Sequence, residues 1–189
     1  TPAPSSWQSA DFILAVQLEE GAAYDLEFSI GQSGKERQSL KTVSQVSSTD
    51  KMSQRYVTVP VASMPFDEGI WVLYVSATRD GQKKEIETQV RVDLTKPELT
   101  LASPSPTHIA KGSKIVISGK LSDKGSGAMH VIASCDCPQK INAVVSLNAG
   151  GNFDSVLKVN AGETVLLEFV GVDLAGNRTA PITSKIVFN

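Results

Sequence analysis

Few side chains in this sequence are equipped for chemistry. Two cysteines, Cys135 and Cys137, and two histidines, His108 and His130, are the whole complement of thiols and imidazoles. On an extended strand, residues two apart face the same side with Cα atoms ~6.6 Å apart, near the upper limit for a disulfide. Asp136 and Pro138 favour a bend that would close the gap. In an oxidising compartment the expected product is a local Cys135–Cys137 disulfide. It closes a ring too small to stabilise the fold by much. A strained, redox-active Cys-x-Cys is one alternative. Zinc bound with the two histidines is another, although the spacing matches no common structural zinc site.

Other chemistries find less support. No Gly-x-Ser-x-Gly elbow, His-Glu-x-x-His run or phosphate-binding loop is present, so no catalytic residue and no cofactor are expected. The acidic turn residues Asp93, Asp123 and Asp173 raise the question of calcium, which takes six to eight oxygen ligands. No dense Asp-x-Asp-x-Asp run accompanies them, and Asp in turns mostly binds its own backbone, so no metal is expected either. A sugar platform needs exposed rings. Of the two tryptophans, Trp71 sits on an alternating apolar run and belongs in a core, while Trp7 lies in the N-terminal segment. The sequon Asn177-Arg178-Thr179 reads as part of a hairpin turn.

Composition bounds the partners. Hydrophobic residues at 41% can build a core, and a net charge of −2 gives no broad field for nucleic acid or anionic membrane. No apolar run reaches the roughly 18 residues needed to span a bilayer. The opening Thr1-Pro2-Ala3-Pro4-Ser5-Ser6 reads as a mature N-terminus or a linker.

The elements that must carry these residues are strands. In the second half, Ile115, Ile117 and Leu121 alternate, with Gly119 between them. Met129, Val131 and Ala133 follow, then Ile141 to Leu147, Phe153 to Val159, Val165 to Phe169, and Ile182 to Phe188. A period of two puts each set on one face of a strand. Turns rich in Gly and Asn separate them. With Leu99 and Leu101 as a first edge strand, this predicts about seven strands and an aligned β-sandwich of immunoglobulin size. A small barrel is the alternative. Cysteines so close together cannot be the inter-sheet pair of antibody domains.

The first half repeats the pattern. Asp11 to Leu18, Tyr24 to Ile30 and Arg55 to Val61 read as strands, with Pro60 confined to an edge or a strand end. Gly69 to Thr78 and Glu85 to Val92 form a hairpin around Asp80-Gly81. Gly69 precedes Asp80 by the same eleven residues that separate Gly162 from Asp173, which suggests an internal repeat. The expected fold is all-β: two tandem immunoglobulin-like sandwiches, over residues 1–95 and 96–189. Pro97 stiffens the link between them.

Three motifs carry a family resemblance. Asp93-Leu94-Thr95-Lys96-Pro97, then Gly119-Lys120-Leu121-Ser122-Asp123 with Ser126-Gly127, then Asp173-Leu174-Ala175-Gly176-Asn177 resemble those of bacterial immunoglobulin-like repeats over residues 93–189. The first half is similar to fibronectin-type-III or related sandwiches through Ala23 to Ser29 and Gly69 to Val75. The resemblance implies a non-catalytic spacer or adhesive part of a larger exported bacterial protein, in the periplasm, on the outer membrane or cell surface, or secreted. A ligand-binding accessory module of a secreted enzyme is the alternative. The implied partners are other domains of the same polypeptide and a surface protein or glycan. Nucleic acid is not among them.

Overall fold

The computed structural model describes residues 7–18, 23–47, 53–135, 137–138, 140–160 and 164–188. The opening hexapeptide, the Glu20–Ala22 turn, Asp136 and Gly162 lie outside them. The chain divides into two compact units, Thr1–Leu94 and Thr95–Asn189. Among the described residues the regular structure is strand, apart from one 3-10 turn at Val61–Ser63.

The first unit contains β1 (Trp7–Gln8), β2 (Phe12–Leu18), β3 (Ala23–Gln32), β4 (Gln38–Ser47), β5 (Ser53–Val59), β6 (Gly69–Arg79) and β7 (Gln82–Val92). Five of them form a sheet in the order β1-β7-β6-β3-β4; β2 and β5 form a second sheet of two. Only β1 and β7 run parallel. Alternation decides which residues meet between the sheets. Phe12 and Leu14 of β2 join Leu26, Phe28 and Ile30 of β3 and Trp71, Leu73 and Val75 of β6 in one core. Burying each such side chain contributes roughly 1.5–3 kcal/mol. Trp71 is wholly buried, packs edge-on against Phe66 at 5.4 Å, and donates its indole N–H to the Asp67 carbonyl at 2.8 Å. Pro60 follows the last residue of β5, where it interrupts no ladder.

The second unit contains β8 (Glu98–Ser103), β9 (Thr107–Ala110), β10 (Lys114–Ser122), β11 (Ala128–Cys135), β12 (Ile141–Ser146), β13 (Asn152–Lys158), β14 (Val165–Asp173) and β15 (Ile182–Phe188). Its sheets are β13-β10-β8 and β12-β11-β14-β15-β9. Ile115, Ile117 and Leu121 of β10 face Val131 and Ala133 of β11 and Leu167 and Phe169 of β14 in a second core.

Strand for strand, β9 to β15 repeat the pairing of β1 to β7. Each five-stranded sheet ends in a short parallel strand, and β10–β13 mirrors β2–β5. One strand has no counterpart among the described residues. β8 pairs antiparallel with the outer edge of β10, whereas among the described residues nothing pairs with the outer edge of β2.

Three strand assignments differ from the sequence reading. Among its described residues the second unit holds eight strands rather than about seven, because Thr107–Ala110 is too short to display a period. β4 escaped notice because β3 and β4 are bulged against each other at two places, which breaks simple alternation. Met129 does not share a face with Val131 and Ala133. A register shift between Ala128 and His130 turns it outward, 50% exposed.

Candidate functional site

The cysteine pair closes the end of β11. Cys135 is its last residue, and Cys135 and Cys137 are joined through their sulfurs with Cα atoms 5.3 Å apart. That separation is shorter than an extended pleat gives. The chain turns immediately after β11, where the Lys140 N–H donates to the Cys137 carbonyl at 2.8 Å and Lys140 takes a φ of 44°. Cys135 is buried against the second core and Cys137 packs at its margin. Both line an open depression of about 940 Å³ that also carries Lys140, Glu168 and Arg178.

At the end of β14, Asp173 organises a hairpin turn. Its side chain is fully buried, and its oxygens accept the Asn177 N–H at 2.8 Å and the Asn177 side-chain amide at 2.9 Å. Gly176 sits between them with φ 93°. Asp123 does the same for the preceding turn, its Oδ2 accepting from Gly125 at 3.0 Å and Gly127 at 2.6 Å. The two turns are stitched together: Leu174 donates to the Gly127 carbonyl at 2.9 Å, and Ala175 to the Ser126 hydroxyl at 3.2 Å. The carboxylates of Asp123 and Asp173 consequently lie within 4.8 Å of each other. Three of their four oxygens hold turn donors; Asp123 Oδ1 is buried with no partner among the described residues. Asp93, in the first unit, is buried, and its N–H continues the β1 pairing by donating to Gln8 at 3.0 Å.

Asp80 and Gly81 form the β6–β7 turn, both with positive φ, 50° and 76°. This is the two-residue loop of a type I′ hairpin, closed by the Arg79–Gln82 pair. Asp80 thus occupies the solvent-exposed tip, unlike buried Asp173.

The histidines stand apart. His108 lies on β9 and His130 on β11, both half-buried, and among the described residues neither joins the cysteines in a group of three ligating side chains. Trp7 is half-buried beneath Arg91, whose guanidinium lies 5.6 Å from the ring centroid. No helix among the described residues is long and apolar enough to cross a membrane.

Two features of the first unit carried no local signal in the sequence. One is a network across 48 residues of chain. The Ser76 hydroxyl donates to Glu85 at 2.9 Å and the Arg37 guanidinium does so at 3.1 Å, which together hold the Glu85 carboxyl below its ordinary value. The hydrogen bond to Glu85 in turn raises Arg37, which also stacks 3.3 Å above the Tyr74 ring. The other is a groove of about 330 Å³, lined by Leu14 to Gln17 of β2, Leu73 and Val75 of β6, and Ile86 to Thr88 and Val90 of β7. Successive strand residues point to opposite faces. Four consecutive lining residues of β2 therefore mark the strand's backbone edge, not one face, as the wall.

No family model and no curated protein matches the chain. Among solved structures it is similar to the fibronectin(III)-like modules of CbhA from Clostridium thermocellum. The TM-score is 0.62 at 15% identity, over 100% of this chain and 92% of that one. Two chimeric titin tandems align at 14% identity over 98% of this chain and 94% and 91% of theirs; their TM-scores of 0.36 and 0.35 are too low to argue from. At 15% identity the first likeness speaks for fold alone. The fold is an all-β sandwich of the fibronectin-III and immunoglobulin type.

Proposed function

We propose that the chain is a non-catalytic structural module, a spacer or adhesive segment, of a larger exported bacterial envelope or cell-surface protein. The observation that carries this reading is the tandem of two units, each closing its own sandwich core. A sandwich suits such a task because two sheets enclose a compact, protease-resistant core. The short Asp93–Pro97 link suits it because proline restricts the chain's freedom. Export is supported by the Cys135–Cys137 pair, since disulfides persist in oxidising compartments. The bacterial immunoglobulin-like repeat is supported by the Asp173–Asn177 hairpin, in which the buried Asp173 carboxylate accepts from both the Asn177 N–H and its side-chain amide.

Replacement in the larger protein separates a spacer from an adhesin. A spacer tolerates exchange of residues 1–189 for an unrelated tandem of two sandwiches with full retention of function. An adhesive segment loses function on that exchange. Recovery of the protein from the cytoplasm with both thiols free removes the export reading. A binding role as accessory module is the second reading, and the groove of the first unit is the observation that favours it.

A further inference from the structure

The Cys135–Cys137 bond does little that the fold has not already done. It spans a single intervening residue, and closing so short a loop removes little freedom from the unfolded chain. The chain around it is held without it. Cys135 pairs with Ile141 in the β11–β12 ladder, and Lys140 donates across the turn to the Cys137 carbonyl at 2.8 Å. The bond therefore staples neither strand to strand nor sheet to sheet. Linkage is reciprocal: a bond that adds little to folding gains little from folding, so the folded chain does not hold it against reduction.

Its surroundings admit a reductant. Both cysteines line the open depression of about 940 Å³. Cys135 is only 7% exposed, whereas Cys137 is half-buried at the margin of the core. Lys140 and Arg178, both exposed, line the same depression against one carboxylate, Glu168. Cations there favour both an arriving and a departing thiolate. The chain has no third cysteine, so a thiol that exchanges with the bond comes from outside.

We infer that Cys135–Cys137 is a thiol–disulfide exchange site, a two-electron acceptor for an outside thiol. The outside thiol loses its proton to solvent and attacks Cys137 Sγ, the more accessible sulfur. The S–S bond breaks, and its electron pair leaves on Cys135 Sγ, which takes a proton from water. A second outside thiolate attacks the outside sulfur of the mixed disulfide and releases Cys137 as a thiolate, which is protonated in turn. The chain's disulfide is thus reduced to two thiols, and two outside thiols are oxidised to one disulfide. They come from two small molecules or from one dithiol; the chemistry is the same. The inference goes beyond the spacer reading and rests on the bond alone. A bond that resists thiols would remove it and leave the spacer and export readings standing.

The test uses the full chain, its bond confirmed by a mass two hydrogens below that of the reduced form. It is equilibrated in graded mixtures of reduced and oxidised glutathione, quenched with acid, alkylated and weighed. Half-reduction is expected at a mixture roughly a thousandfold less reducing than the structural disulfides of secreted proteins require, with both units still folded by calorimetry. The capped dithiol peptide Cys-Gly-Pro-Cys, compared with glutathione at equal thiol concentration, identifies the source: the faster reductant marks a protein dithiol or a small thiol as the natural donor. Oxidised glutathione should modify Cys135→Ser, which keeps Cys137, roughly tenfold or more faster than Cys137→Ser, because access to the sulfur governs the rate. Three results would overturn the inference. They are a bond that persists until the mixture reduces structural disulfides, unfolding of the second unit on reduction, and equal reactivity of the two single variants.

Discussion

Gly119 is where one methyl group should do the most damage. It lies inside β10 at the register shift against β8. A Cβ built there would collide with the Thr100 carbonyl oxygen of β8 and stand 2.7 and 3.0 Å from two ring atoms of Phe153. Its φ is not in the left-handed region, so the constraint is steric alone. In an open position Gly→Ala stabilises by about 0.4–1 kcal/mol through the unfolded chain. Here the sign reverses. Overpacking a core costs about 1–3 kcal/mol, and the upper end applies because one obstacle is backbone. Relief requires the Thr100 carbonyl to leave its place beside β10, forfeiting about 1 kcal/mol of hydrogen bonding, or the buried Phe153 to tilt. A net loss of about 3 kcal/mol in a unit of this size lowers its melting temperature by roughly 15 °C.

The distribution of aromatic residues provides the assay. Both tryptophans and all three tyrosines, Trp7, Trp71, Tyr24, Tyr56 and Tyr74, lie in the first unit. Intrinsic fluorescence therefore follows the first unit, while calorimetry records both. Gly119→Ala should lower a calorimetric transition and leave the fluorescence midpoint in place. A variant that melts at or above the parent refutes the collision. An equal fall in the fluorescence midpoint refutes its assignment to the second core.

Other variants probe the remaining turns and charges. Gly176→Val, forced to φ 93°, should cost about 1 kcal/mol or more in denaturant melts, and an unchanged midpoint would count against a strained turn. Asp173→Ala leaves Asn177 donors without their acceptor and should cost about 2 kcal/mol, measured the same way. The Cys135→Ser, Cys137→Ser double variant should remain folded with a loss below about 2 kcal/mol, because the closed loop is so short. Mass spectrometry of the untreated parent should show two hydrogens missing and no intermolecular dimer. Glu85 has a lowered pKa, so its stabilising contribution is present above the ordinary carboxylate range and vanishes as pH falls through the folded value. The stability gap between parent and Glu85→Gln, followed by fluorescence, should therefore narrow on acidification; a gap that widens contradicts the network.

How much of this was legible in the sequence depended on whether the cause was local. Ile115, Ile117 and Leu121 of β10 alternate because one sheet face is buried, and Asp80-Gly81 marks its hairpin because few other dipeptides accept two positive φ values. Met129 deceived because a bulge shifts the period by one residue, an event with no mark of its own in the chain. Gly119 was visible as an interruption, yet its reason lies on β8 and β13, at Thr100 and Phe153. The Arg37–Glu85 network joins residues that only strand pairing brings together.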